Sequence, residues 1–189
     1  NMLDSANVLK QTFSDCLGDD FVKLNILTYV QSSTQEVYNA KKHSMVVNGW
    51  GADYGDPQNY MSQEVMGNDN AFYSRQYSYI DDVVETEATK NLLDTYKEFT
   101  RLVDEASAIN DDLDARYKAF AKAEAYMIQH ALCFPHYYDV GWCLTKVNPY
   151  SKINAMYGCV NGKMKNWETN SEGYTTEEME AIAEAYHAA

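Results

Sequence analysis

The chain has 189 residues, 46% of them apolar and 13% aromatic, which is enough to bury one core and too apolar for a disordered segment. Its formal net charge of −13 argues against nucleic acid or an anionic membrane as a partner, because both demand clustered Lys and Arg. No run approaches the roughly 18 consecutive apolar residues of a membrane span, and no basic, apolar, small-residue stretch opens the chain as a signal peptide would.

The start at Asn1, directly into a helical pattern, is the expected mark of a processed or excised chain, so the terminus carries no compartment information. Asp4 or Ser5 caps a predicted helix that runs to about Cys16. Val8, Leu9, Thr12, Phe13 and Cys16 recur at helical spacing, and Gly18 ends it. Residues 21–30 alternate through Val22, Leu24 and Ile26 and predict a strand; Ser33 or Thr34 then begins a helix toward Lys42. Residues 45–49 predict a second strand. Strand, helix and strand in about thirty residues make a βαβ unit, whose second strand delivers its following loop to a crevice.

Pro57 suits the first turn of a helix carrying Tyr60, Met61, Glu64 and Val65, closed by Gly67, and residues 67–76 form a polar, aromatic loop. Ile80, Val83 and Val84, then Leu92, Leu93, Tyr96, Phe99, Leu102 and Val103, mark one long helix or two. Asn110-Asp111-Asp112 breaks that stripe, and a second long helix follows with Leu113, Tyr117, Phe120, Ala121, Glu124, Tyr126, Met127 and Ile128. Residues 132–140 predict a buried strand interrupted by Pro135, and 141–145 another extended piece. Thr175-Thr176-Glu177-Glu178 caps a terminal helix that runs through Tyr186. Alternating elements of this kind predict an α/β fold with a mixed sheet flanked by helices, as a single lobe over residues 1–189. The segment 151–189 either forms a partly separate C-terminal piece or covers an edge of the lobe.

Most titratable clusters read as structural. Cys16, Cys133, Cys143 and Cys159 show neither C-x-x-C spacing nor a zinc-type His pattern, and are read as buried free thiols, with Cys133 and Cys143 as the disulfide pair to check first. His43, His130 and His187 lack the i, i+4 spacing of a helical metal pair, so no metal and no cofactor is expected. Cys133 and His136, three apart in a predicted strand, point to opposite faces and do not form a catalytic pair. The acidic stretches at 110–114 and 177–184 are solvated helix ends and faces. No Ser nucleophile motif, phosphate loop or dinucleotide fingerprint is present.

The most informative stretch is Met45-Val46-Val47-Asn48-Gly49-Trp50-Gly51-Ala52-Asp53-Tyr54-Gly55-Asp56-Pro57, where an apolar run stops in glycines, an indole and a carboxylate. A second word is Arg116-Tyr117-Lys118-Ala119-Phe120-Ala121-Lys122-Ala123-Glu124, followed by Ala131-Leu132-Cys133-Phe134-Pro135-His136-Tyr137-Tyr138. In this order the two words resemble the C-terminal lobe of the oligopeptide- and dipeptide-binding proteins that feed ABC importers, extracellular solute-binding protein family 5. The resemblance covers about residues 32–150, with Phe134 where family members carry Ile, and the last forty residues match poorly.

What the resemblance implies is a type II periplasmic-binding-protein-like lobe of a larger two-lobed chain. The partners it implies are a peptide ligand, ABC permease subunits and a missing N-terminal lobe, and the setting is extracytoplasmic, periplasmic or as a cell-surface lipoprotein. It implies no enzyme activity. In the family the carboxylate matching Asp53 pairs with the peptide α-amino group, and the ligand-facing residues carried over are Trp50, Gly51, Ala52, Asp53 and Tyr54. From the residues alone, Asp53 reads first as an exposed turn former or helix cap, Trp50 either lines a pocket or is core beneath the loop, and Tyr54 stays undecided. Gly49 and Gly51 allow a ligand backbone to come close, which favours broad recognition. Two alternatives are carried: the same fold with another solute, such as a nickel complex, haem or an oligosaccharide, and an acidic hydrolase using Asp53 and Asp56.

Overall fold

A computed structural model describes residues 2–136, 145–152 and 164–188. The chain divides into two units, one of residues 1–48 with 76–78 and the other of residues 49–75 with 79–189.

In the first unit, α1 spans Met2–Leu17. Gly18 stops it in the left-handed conformation at φ 81°, its N–H donating to the Ser14 carbonyl at 2.9 Å; only glycine adopts that φ without strain. Residues 22–30 follow without regular pairing, yet their burial still alternates: Val22, Leu24 and Ile26 are half-buried while Lys23, Asn25 and Leu27 are exposed. The Glu36 carboxylate then accepts from the backbone N–H groups of Val30, Gln31 and Ser32 at 2.8 to 3.0 Å, and these N–H groups, led by that of Ser32, hold it below the usual carboxylate range. The expected helix toward Lys42 is one wide π-helical turn, Thr34–Tyr38, closed by Asn39 N–H to Thr34 O at 2.7 Å. Tyr38 meets His43 and Tyr77 edge-on, and His43 Nε2 donates to the Tyr77 carbonyl at 2.9 Å.

The second unit holds the core. α2 is short, Pro57–Met61, whereas α3, Lys90–Ser107, and α4, Leu113–Gln129, are long and pack against each other and against α2. On α3 the buried positions Leu93, Tyr96, Phe99, Leu102, Val103 and Ala106 keep helical spacing, and on α4 Phe120, Ala123 and Met127 face them. Phe99, Ala106 and Ala123 are fully excluded from water; the two alanines let the helix backbones approach closely. Val65 completes this cluster, and Ile80 with Leu93 and Tyr96 forms a second. Asp112 caps α4 by accepting from Ala115 N–H at 2.9 Å. α5, Thr176–Ala188, starts with a capping box: Glu178 N–H donates to Thr175 Oγ1 at 3.2 Å, and the Glu178 carboxylate accepts from Thr175 N–H at 2.9 Å. Tyr186 of α5 lies over Tyr150, with ring centroids 4.8 Å apart.

The α/β expectation is overturned. Among the described residues the β-type pairing amounts to one isolated antiparallel bridge, Val147 with Thr169, and no mixed sheet exists. Residues 21–30 and 45–49 form no ladder, so there is no βαβ unit, and 132–136 are irregular; the rest of that predicted strand and residues 141–144 lie outside the described residues, as do Cys143 and Cys159. The physical reason is that alternation sets which side chains share a face, whereas a strand exists only when a neighbour takes its N–H and C=O groups. No described segment of this chain supplies that neighbour. Of the one or two helices expected across residues 80–103, the long one forms from Lys90, and the earlier part is a single 3-10 turn, Ile80–Asp82, because Tyr79 at φ 51° and the extended backbone of Val83 interrupt the chain on either side of it. Cys133 is a half-buried free thiol, as expected of its kind, but Cys16 is an exposed one.

Candidate functional site

The glycine-rich loop between Gly49 and α2 is shaped by its flanks. Asp56 is the N-cap of α2: its Oδ1 accepts from Gln58 N–H at 2.9 Å, and Pro57 occupies the first helical position, where a missing N–H costs nothing. Asn59, buried in α2, reaches back with Oδ1 to accept from Asp53 N–H at 2.7 Å. Gln63 holds Asn59 in turn, donating from Nε2 to the Asn59 carbonyl at 3.0 Å, while its Oε1 accepts from Phe72 N–H at 2.9 Å. The loop backbone is therefore tied to buried polar side chains at Asp53.

The two loop carboxylates have different fates. Asp56 makes a bidentate ion pair with Arg116 of α4, Nε to Oδ2 and Nη2 to Oδ1, each at 2.9 Å. The hydrogen-bonded guanidinium holds the Asp56 carboxyl below its ordinary range. Arg116 spends its remaining terminal nitrogen, Nη1, on the carbonyls of Ala106, Ser107 and Ile109 at the end of α3, at 2.8 to 3.3 Å, and its guanidinium sits 5.0 Å from the Phe120 ring centroid. One side chain thus joins the loop, the end of α3 and the start of α4. The Asp53 carboxylate, by contrast, is exposed and has no cation among the described residues.

Trp50 is half-buried and meets the Tyr60 ring edge-on, at 5.5 Å and 86°. Ala52 is buried, whereas Gly51 and Tyr54 are exposed. A Cβ added at Gly49 or Gly51 would meet nothing within 4 Å, so internal packing does not require glycine at either position. Tyr54 donates its hydroxyl to Gln58 Oε1. Beside the loop, Tyr54, Gly55, Asp56, Pro57, Tyr60 and Tyr117 line a cavity of about 390 Å³.

Of the residues carried over from the sequence, Trp50, Gly51, Ala52, Asp53 and Tyr54 fall on one continuous loop, with Ala52 turned inward and the others at least partly accessible. Sequence reasoning missed Asn59, Arg116, Tyr60 and Tyr117. Asn59 was legible as a polar residue three positions into a short capped helix, but nothing in the chain's order signalled an ion pair between residues sixty apart. Of the two carboxylates in the acidic-hydrolase alternative, Asp56 is held low by the hydrogen-bonded Arg116 guanidinium, the opposite of the raised carboxyl a general acid needs. Among the described residues, no three His, Cys, Asp or Glu are grouped so as to hold a metal, and no helix is long and apolar enough to cross a membrane.

No protein-family model matches the chain. It is similar to the oligopeptide-binding protein SarA of Streptococcus gordonii, 29% identical over 85% of this chain and 24% of that protein. It is also similar to the oligopeptide-binding protein AmiA of Streptococcus pneumoniae, 24% identical over 98% of this chain and 29% of that protein. The chain therefore spans about a quarter of the length of these curated relatives, and both are binding proteins by name.

Proposed function

We propose that this chain, a relative over part of their length of the oligopeptide-binding proteins, supplies peptide-contacting surface to a solute-binding protein of an ABC importer working outside the cytoplasm. Asp53 is the anchor for the α-amino group of the bound peptide. The observation that carries this reading is the division of labour in the loop: Asp56 is neutralised by Arg116, while Asp53 stands exposed on a backbone pinned by Asn59. An unpaired carboxylate on a fixed loop is a partner for an ammonium, since charge-assisted hydrogen bonds are about twice as strong as neutral ones, and more so once a second lobe closes water out. Gly49 and Gly51, unconstrained by packing, leave room for a peptide backbone and favour recognition through the main chain. The remaining lobe closes over the loop by hinge motion, and permease subunits receive the loaded form.

The test is calorimetric titration of a mixed tri- to pentapeptide library, and of its N-acetylated copy, into the full-length protein carrying this chain and into its Asp53→Asn variant. Binding lost on acetylation and on Asp53→Asn is the expected result. Equal binding of both libraries would remove Asp53 from the anchor role, and silence from both would end the peptide reading.

A further inference from the structure

The cavity beside the loop has a chemistry different from that of Asp53. Three tyrosine rings form its walls, and Tyr54, Tyr60 and Tyr117 are each 47% exposed, a large aromatic area for water to cover in a concave site. Gly55 and Pro57 complete the lining. Asp56 is the one charged residue in the lining, and it is already satisfied: Oδ1 accepts from Arg116 Nη2 and Gln58 N–H, and Oδ2 accepts from Arg116 Nε. A charged ligand group entering there would meet a neutral pair. At about 390 Å³ the volume suits one aromatic side chain with its adjoining backbone. The edge-on contact of Trp50 with Tyr60 stiffens one wall.

We propose that Tyr54, Tyr60 and Tyr117, over the closed Asp56–Arg116 pair, form a subsite for an uncharged aromatic side chain. On the peptide-carrier reading, which this subsite deepens, that side chain belongs to one of the first residues of the bound peptide, because the lining starts one residue after Asp53. Recognition by ring faces and edges is tolerant of which aromatic residue enters and excludes charged ones.

The test uses the full-length protein with tyrosine rings labelled for NMR. The first probe is N-acetyl-phenylalaninamide, which has no ammonium and so does not depend on Asp53, with N-acetyl-lysinamide as the charged comparison. Saturable shifts of the tyrosine rings with the aromatic probe, at least tenfold weaker with the lysine probe, lost in Tyr117→Ala and kept in Tyr117→Phe, are expected. No saturable shift, equal response to both probes, or a response unchanged in Tyr117→Ala overturns the subsite. Circular dichroism of Tyr117→Ala checks its fold, and Tyr54→Ala repeats the loss if that variant does not fold. A second arm titrates tetra-alanine and its single-phenylalanine analogues. If none of these binds while the aromatic probe still saturates, the peptide-carrier reading fails and the subsite stands.

Discussion

Replacing Arg116 by Ala removes the guanidinium that closes on Asp56 and the donor that serves the carbonyls of Ala106, Ser107 and Ile109. Stripping one partner from a fully buried ion pair typically costs about 3–5 kcal/mol. Here the Arg116 side chain is 12% exposed and that of Asp56 25%, so water reaches the orphaned carboxylate, and the freed carbonyls at a helix end can be hydrated. We therefore expect a loss of about 2–3 kcal/mol, nearer the cost of a charged hydrogen-bonded pair than that of a dry one. Asp56→Asn keeps the cap, because Asn is as good an N-cap as Asp, and should lose less, about 1–2 kcal/mol. The double variant should not add the two losses, since the residues share one interaction.

The pH dependence fixes the sign. The Asp56 carboxyl is lowered in the folded state by the hydrogen-bonded Arg116 guanidinium. Its stabilisation is therefore complete above the ordinary Asp value of about 4 and is lost as pH falls through the folded value. Urea unfolding followed by circular dichroism at pH 7, repeated at pH 3, measures both effects. The deficit of Arg116→Ala should be largest at pH 7 and shrink on acidification. A deficit under about 0.5 kcal/mol at pH 7, in the range of an ordinary surface substitution, would refute the claim that this pair ties the loop to α4.

Glu64 is buried, and that burial pushes its carboxyl up to about 8. Between the ordinary value of 4.5 and 8 the unfolded chain releases a proton that the folded chain keeps, so stability falls with rising pH, by at most about 1.4 kcal/mol per unit. Glu64→Gln should flatten that slope in urea midpoints measured from pH 5 to 8.5, and an unchanged slope would assign it elsewhere. Gly51→Ala should leave thermal stability within about 0.5 kcal/mol, since no atom lies near the added Cβ, yet weaken peptide binding in calorimetry if a ligand backbone comes close there. Cys16, exposed, should alkylate with iodoacetamide well before Cys133, whose thiol is raised first by burial and then by the charge of Glu64, as peptide mass spectrometry would resolve.

What was legible in the chain divides along a physical line between local and non-local causes. The helix ends are local: Gly18 with its positive φ, Asp56 before Pro57, Asp112 before Leu113 and the Thr175–Glu178 box each act within a turn, and the sequence places each of these boundaries within a few residues. The α3 and α4 stripes are local as well, because 3.6-residue spacing alone brings Phe99, Leu102 and Ala106 onto one face. Strands are not local. The alternation at Val22, Leu24 and Ile26 survives as alternating burial, yet nothing in those residues provides the backbone that would pair with them.

The same line runs through the candidate site. The loop 50–56 could be singled out because its glycines, indole and acids are contiguous, but which of its two carboxylates stays open depends on Arg116, sixty positions away. That dependence makes the Asp53 assignment testable from within the protein. If Arg116→Ala frees Asp56, the loop then carries two uncompensated acids, and ammonium capture should become less selective for Asp53. In the Arg116→Ala background, then, Asp53→Asn should weaken peptide binding by a smaller factor than it does in the wild type. An equal factor in both backgrounds would show that Arg116 supports the fold without choosing the anchor.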